Sequence, residues 1–442
     1  MLNYGSAQSG FLYKTCHSAQ LDSSHSPAEA TPRVACCSLC PVRVIMRPLV
    51  SSFCIAAAGI AGLLLVRAHS QPAASSQPVF PSFERVQLLE EKGETSASVS
   101  VGDLNGDGLL DIVLAKGRHW PLHSRVLLND GKGGFSASNL ATSPARTYSA
   151  ALADVDRDGH LDVILSNDAP DRKLVYRNDG KGHFTEIGTF GDPSWQTRYV
   201  TLADLNGDGF PDIVAANRGD YPDIGATGPH TAVPSFVCLN DRKGHFPTCQ
   251  PLPTESATSI VAADLDGDGA IDLFVPHRDG GQSIILWNDG KGHFPTSTKI
   301  GPSEAWIRIG AAADFDGDGH LDLAIIDEQK KAAYLIFNRG GRNFSHPVQL
   351  PGPQRPPYAL AVADLNRDGR PDVIIGWVQQ PGSVYYNTGQ GHTFHEVPWN
   401  DGKGVVYGMA FADFNGDGWP DIVAARSDAP NAIWFSTPAS RR

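Results

Sequence analysis

Aspartates crowd this chain at short, fixed spacings. Residues 103–111 read Asp-Leu-Asn-Gly-Asp-Gly-Leu-Leu-Asp, and the pattern Asp-x-(Asp/Asn)-x-Asp-Gly-x-x-Asp occurs seven times. Side-chain oxygens fall at positions 1, 3, 5 and 9, and a backbone carbonyl is available at position 7. So dense a set of hard oxygens is the donor set of a hard cation. Calcium takes six to eight oxygens at roughly 2.3–2.6 Å, and glycine at position 6 permits the sharp turn. Magnesium demands tighter octahedral geometry and keeps its waters, so calcium is the better match. Without a cation, three or four carboxylates within nine residues repel one another.

The candidate ligands are Asp103, Asn105, Asp107 and Asp111 in the first loop, and Asp154, Asp156, Asp158 and Asp162 in the second. The third loop offers Asp204, Asn206, Asp208 and Asp212; the fourth, Asp264, Asp266, Asp268 and Asp272. Asp314, Asp316, Asp318 and Asp322 make the fifth, Asp364, Asn366, Asp368 and Asp372 the sixth, and Asp413, Asn415, Asp417 and Asp421 the seventh. Position 12 is always Leu, Ala, Val or Ile, never the bidentate glutamate of an EF-hand, and the flanks read as strands. The loops hold 24 carboxylates, so a formal net charge of -12 leaves the rest of the chain at +12. The acidity belongs to the candidate metal sites. An acidic chain argues against a nucleic-acid partner, which calls for a basic face.

Stepwise gaps of 51, 50, 60, 50, 50 and 49 residues separate the first aspartates. A fixed period of this size marks an array of supersecondary units. An apolar segment such as 199-YVTLAD-204 precedes each loop, and a short strand such as 111-DIVLA-115 follows it. A third strand then ends in Asn before a glycine turn and Phe, as in 126-VLLNDGKGGF-135, a hairpin signal. Four short antiparallel strands per repeat make one propeller blade. A surplus strand, 83-FERVQLL-89, stands before the first repeat, and the last repeat stops after its third, 432-AIWFS-436. The expected fold is therefore all-β: a seven-bladed β-propeller of four-stranded antiparallel blades, closed by the N-terminal strand. Closure in this way removes the exposed sheet edges.

The repeat resembles the FG-GAP/VCBS type, as in the calcium-loop blades of integrin α-subunit propellers and of certain fungal lectins. The resemblance covers about residues 80–438 with all seven loops intact. It implies the propeller and calcium, and leaves activity open, because relatives include adhesion receptors, lectins and propellers attached to lyases or lipases.

In a propeller the acidic loops and the glycine turns share one face. Phe135, Phe184, Phe246 and Phe294 are expected to pack blades there, and Lys132, Lys181, Lys243 and Lys291 to form a solvated rim. The other face varies, and variable loops on a rigid scaffold tend to carry binding. Six residues before each loop stand Ala97, Tyr148, Arg198, Thr258, Arg308, Tyr358 and Tyr407, with Arg146, Trp195 and Trp306 just upstream. Beyond the second strands come Arg118-His119-Trp120, Arg218, His277-Arg278, Trp377 and Arg426. Tyr148, Arg198, Trp306, Arg308, Tyr358 and Tyr407 are the candidate ligand-binding residues: aromatic faces stack on sugar rings and guanidinium forks grip carboxylates or sulfates. The longest gap places an extra loop, residues 217–234, on this face, with an Arg218-Gly219-Asp220 tripeptide of the kind integrins recognise.

Outside the repeats, residues 1–45 show no periodic pattern and hold Cys16, Cys36, Cys37 and Cys40; Met46 is a candidate true start. Residues 46–70, with Arg47, an apolar run over 49–66 and Ala68-His69-Ser70, read as a signal peptide; an uncleaved anchor is the competing reading. A linker, 71–80, leads into a propeller spanning 81–438. Cys238 and Cys249 flank a turn as facing hairpin positions would, and an exported chain permits a disulfide there.

The expected product is a monomer that is secreted, periplasmic or at the cell surface, touching membrane only if 49–66 stay as an anchor. Its expected function is recognition or adhesion through a glycan or extracellular protein. No His-Glu-x-x-His, Gly-x-Ser-x-Gly or phosphate loop occurs, so catalysis has little support. The enzymatic alternative is a polysaccharide lyase with Tyr148 or Tyr358 as base and Arg198 and Arg308 neutralising a uronate.

Overall fold

Each repeat folds around a second strand that is apolar along most of its length and buried throughout. Asp111–Lys116, Asp162–Asn167 and Asp322–Asp327 are buried at every residue. A strand covered on both faces belongs inside a stack of sheets, and each blade supplies one such strand. The computed structural model describes residues 79–219 and 233–438. The 1–45 extension, the 46–70 segment, most of the 71–80 linker and residues 220–232 of the long loop, Asp220 included, lie outside these residues.

Seven four-stranded antiparallel sheets make up the described chain. In blade 1 the order is Ser96–Gly102, Asp111–Lys116, Arg125–Asn129 and Phe135–Asn139, a simple meander. Blades 2 to 6 repeat it. Blade 7 takes Val405–Ala412, Asp421–Ser427 and Ala432–Thr437 from the C-terminal end and Ser82–Leu88 from the other, paired antiparallel with Val86 opposite Trp434. The closure expected from the sequence is therefore present.

Seven apolar clusters hold the blades together, each between two successive sheets. The cluster at the closure packs Val99, Ile112 and Leu114 of blade 1 against Val423, Ile433 and Phe435 of blade 7. Fully burying one such side chain contributes about 1.5–3 kcal/mol, so the ring is held by blade-to-blade packing more than by any single sheet. The turn phenylalanines join these clusters: Phe135, Phe184, Phe246 and Phe294 each pack against a neighbouring core. The turn lysines Lys132, Lys181, Lys243 and Lys291 are exposed. Among the described residues no helix is long and apolar enough to cross a membrane.

Candidate functional site

The acidic loops are corners between a blade's first and second strands. Glycine at position 6 is left-handed in all seven, with φ from +82° at Gly108 to +92° at Gly159, a conformation costly for a residue with a Cβ. The acids are bound into the turn by backbone amides. Asp103 Oδ2 accepts from the Gly108 N–H at 2.9 Å, and Asp107 Oδ1 from the Leu109 N–H at 2.8 Å. Position 9 reaches furthest: Asp111 is wholly buried and accepts from the Leu104 N–H and the Asn129 N–H, both at 2.8 Å. The same pair of bonds recurs at Asp162, Asp212, Asp272, Asp322, Asp372 and Asp421.

Burial pushes these position-9 carboxyls up, to about 6 for Asp162, Asp212, Asp272, Asp322 and Asp421 and about 7 for Asp372. The amide bonds pull the other way, while the carboxylates at positions 3 or 1 and 5 add to the rise. A cation would relieve that repulsion. Three loops gather positions 1, 3 and 9 so that one oxygen from each lies within 4.8 Å of the others: Asp154/Asp156/Asp162, Asp264/Asp266/Asp272 and Asp314/Asp316/Asp322. Asp316 keeps a buried Oδ1 without a hydrogen-bond partner. The residues present therefore fit a hard cation. Position 5 stands outside these groups and in places meets an arginine, as Asp208 does with Arg242 at 3.0 Å.

The asparagine ending each third strand proves to be a clamp between blades. Asn178 Nδ2 donates to the Leu104 carbonyl of the preceding blade at 2.8 Å, and Asn240, Asn288, Asn338 and Asn387 do the same to Val155, Leu205, Leu265 and Phe315. Blade 7 has Ser436 at this place, and Asn129 of blade 1 reaches only its own blade's Leu110 carbonyl at 3.3 Å. The recurring Asn was visible in the sequence, but its partner lies 70 or more residues away.

At the opposite face the first strands carry a repeated irregularity. Pairing with the second strand slips between Thr147 and Ser149, Thr197 and Tyr199, Ile307 and Ile309, Pro357 and Ala359, and Val406 and Gly408. The extra residues of these bulges are Tyr148, Arg198, Arg308, Tyr358 and Tyr407. A bulge re-aims a side chain; Tyr148, Arg198, Arg308 and Tyr407 line the channel mouth, while Tyr358 lies outside that lining, against Arg308 and Tyr407. A cavity of about 170 Å³ is lined by Tyr148, Arg198, Thr258, Arg308 and Tyr407 among others, with a contribution from every blade.

Arginines and tyrosines pack against one another at this mouth, and Tyr358 meets Tyr407 edge-on at 5.5 Å. Arg198 lies 4.4 Å from the centre of the Tyr148 ring, and Arg118 lies 5.7 Å from the same ring and 3.7 Å from Tyr407. Arg308 is 5.4 Å from Tyr407 and 4.4 Å from Tyr358. Carboxylates from the ends of second strands join in across blades: Asp168 binds Arg198 at 2.6 Å, Asp279 binds Arg218 at 2.6 Å, and Glu328 binds Arg278. Burial holds Arg308 below the usual guanidinium range, with Glu328 working against it. Tyr148 Oη sits 3.1 Å from His119 Nε2; burial raises the phenol, and burial with Arg118 and Arg198 lowers the imidazole.

Other residues expected on this face serve different purposes. Trp306 is half-buried beside the Gly280 turn and does not line the cavity. Trp377 is buried in the core between blades 5 and 6, where its indole N–H donates to Ser383, and Arg426 is buried with Asp401 and the Pro430 carbonyl. Trp195 stacks on Phe236 at 3.9 Å, and Arg146 pairs with Asp171. Missing from the candidate set were Asp168, Glu328 and Asp279, whose pairing depends on contacts 23 to 61 residues distant. Across the third and fourth strands of blade 3, Cys238 faces Cys249 with Cα atoms 4.0 Å apart, joined by a disulfide.

A model of the FG-GAP-like repeat matches residues 103–165, 154–215, 264–325, 314–375 and 364–424, more than half of the chain. The chain belongs to the FG-GAP-like repeat family. Each matched stretch of this FG-GAP-like chain starts at the first aspartate of one acidic loop and runs into the second strand of the next blade, so the family signature is the loop with its corner. Cartilage acidic protein 1 of Xenopus tropicalis is 29% identical over 164 residues, which is 34% of this chain and 24% of that protein. The FG-GAP-like chain thus spans about a quarter of that curated relative. Among solved structures, an Agrocybe aegerita lectin that recognises non-reducing terminal N-acetylglucosamine is 21% identical, with 76% of this chain and 87% of that one covered and a TM-score of 0.52. BBS1N, solved in complex with ARL6DN, is 13% identical, with 82% and 98% covered and a TM-score of 0.53. These two likenesses show the propeller fold.

Proposed function

We propose that the protein is an exported recognition module, its propeller braced by calcium in the acidic loops, which holds a glycan or an extracellular protein at the channel mouth. The observation that carries this reading is the chain of arginine–tyrosine contacts among Arg198, Tyr148, Arg118, Tyr407, Arg308 and Tyr358 at one opening, on the face away from the acidic loops. Aromatic rings offer flat apolar contact, guanidinium groups offer forked donors, and each holds the other in place. Trp120, 69% exposed and two residues beyond Arg118, adds an aromatic surface at the rim. The disulfide supports export, since such bonds persist in oxidising compartments. The lectin and BBS1N likenesses support a binding role in kind, one reading a sugar and the other held in a protein complex.

The test is a screen of the full chain against a glycan panel and an extracellular-protein panel, in calcium and in chelator. Retention on a panel member that is lost on replacing Tyr148 and Tyr407 supports recognition at the mouth; retention indifferent to both substitutions refutes it.

A second reading rests on the Tyr148–His119 contact. A neutral imidazole within reach of a phenol, flanked by Arg118 and Arg198, is the equipment of a uronate lyase, with a proton accepted from the sugar and another given to the leaving oxygen. New ultraviolet absorbance from an unsaturated product would establish it, and its absence on every uronate polymer tried would dismiss it.

A further inference from the structure

Among the described residues, arginines outnumber carboxylates at the channel mouth. Five guanidinium groups meet there, from Arg118, Arg198, Arg218, Arg278 and Arg308, and the described residues set three carboxylates among them. Asp168 and Asp279 each pair with one arginine, and Glu328 with two, Arg278 and Arg308. Arg308, 6% exposed, lies 3.9 Å from a Glu328 already held by Arg278, and spends its Nε on the Tyr358 carbonyl at 3.0 Å. Arg118 pairs with no carboxylate among the described residues, and its Nε is buried without a partner. Its backbone is also left-handed, with φ 46°, a strain that a non-glycine residue bears where the surroundings impose it. Both of these arginines stack on Tyr407.

Two further groups await a partner here. Thr258 lines the cavity, is 8% exposed, and has a buried hydroxyl with no hydrogen bond. Asp168, equally buried, has one oxygen on Arg198 and the other unpartnered. Buried polar groups in folded proteins are nearly always satisfied, because a buried donor or acceptor without a partner loses its hydration and gains nothing in return. Orphans of both signs beside uncompensated guanidinium groups describe a ligand with an anionic group and hydroxyls. A cavity of about 170 Å³ at the mouth is large enough to admit a sugar ring or end group.

We propose, resting on the recognition reading above, that this cavity takes the terminal carboxylate-bearing residue of an acidic glycan end-on. Its carboxylate lies against Arg308 beside Tyr407, at the rim where Arg118 stacks on that ring, and its hydroxyls meet Thr258. A planar carboxylate suits the guanidinium fork, and a low-dielectric mouth strengthens the contact.

Calorimetry on the full chain in calcium tests this, with three probes: a linear galacturonate tetrasaccharide, its fully methyl-esterified form, and uncharged maltotetraose. The free acid should bind at least thirtyfold more tightly than its ester. Arg118→Gln should weaken it tenfold or more while the melting temperature stays within a degree or two, since Arg118 makes no ion pair among the described residues. Thr258→Val should weaken it severalfold. Equal affinity for acid and ester, tighter binding of maltotetraose, or an Arg118→Gln variant that binds normally overturns the proposal. Binding of an extracellular protein through Tyr148 and Tyr407, with none of the three sugars bound, also overturns it and leaves the recognition reading standing. A chain that binds nothing on any panel sinks both.

Discussion

Replacing Asn288 with alanine isolates the blade-to-blade clamp. Asn288 is 4% exposed and donates to the Leu205 and Ile271 carbonyls, each at 2.8 Å, while its own carbonyl accepts from the Gly290 N–H at 3.0 Å and the Gly292 N–H at 3.2 Å. Truncation deletes four hydrogen bonds worth about 1 kcal/mol each and leaves buried partners unsatisfied, so the expected loss is ~3–5 kcal/mol. With an unfolding entropy near 2.1 cal/mol/K per residue over about 350 ordered residues, that corresponds to a fall in Tm of ~4–7 °C. Asn129→Ala is the internal comparison. That side chain ends the equivalent strand but has only the 3.3 Å bond to Leu110 and one turn amide, from Gly131, to lose, so ~1–2 kcal/mol is expected. Equilibrium urea unfolding in saturating calcium measures both, with unchanged m-values as the check that only stability moved. Equal losses for the two variants would mean that the bond to the preceding blade contributes nothing, and the clamp argument would fail.

Calcium removal should be costly. At a hundred times Kd each loaded loop contributes ~2.7 kcal/mol, so the three all-aspartate clusters alone are worth ~8 kcal/mol, or roughly 10 °C of Tm by scanning calorimetry; a melt indifferent to chelator would remove the metal from the account. The pH slope should invert with the ion. Burial holds the position-9 carboxyls above the ordinary 3.8 in the folded, metal-free chain, at about 6 to 7 for Asp162, Asp212, Asp272, Asp322, Asp372 and Asp421, so ionising them opposes folding, a penalty that is absent below about pH 4 and complete above about pH 7. Chelated protein should therefore gain stability as pH falls across that window, and calcium-loaded protein should lose it, because the ion requires the ionised form; parallel Tm profiles with and without calcium would contradict this. Converting Cys238 and Cys249 together to alanine should cost up to ~3 kcal/mol for so short a loop and leave binding at the mouth intact, since the bridge lies between the outer strands of blade 3; affinity lost along with stability would tie the hairpin to the site.

The ring was legible because the acidic loop is local chemistry repeated at a fixed period, and because the surplus strand at 83–89 matched the vacancy after 432–436. The channel positions were legible as a register, six residues before each loop. What the sequence does not display is the bulge that puts Tyr148, Arg198 and Arg308 out of the ladder, since one unpaired residue leaves the repeat length unchanged. Trp377 and Arg426 occupy places like those of Arg118 and Arg278, yet turn into the core, because Ser383 in one case and Asp401 in the other supply polar partners inside the blade stack. Arg198 with Asp168 and Arg278 with Glu328 pair over separations of 30 and 50 residues, which only the packing of neighbouring blades brings together.

Blade 7 places a condition on synthesis. Ser82–Leu88 is the first strand of the propeller to leave the ribosome and pairs with the last, Ala432–Thr437. At ~5–20 residues per second it waits some tens of seconds for its partner. Throughout that interval its edge is open to any other strand, and Glu84 and Arg85, both exposed in the finished protein, are the charges that discourage such pairing. A chain cut short before Ala432 would not make a slightly smaller ring. It would leave two unmatched edges where the seam should be, on a protein that had already built six blades.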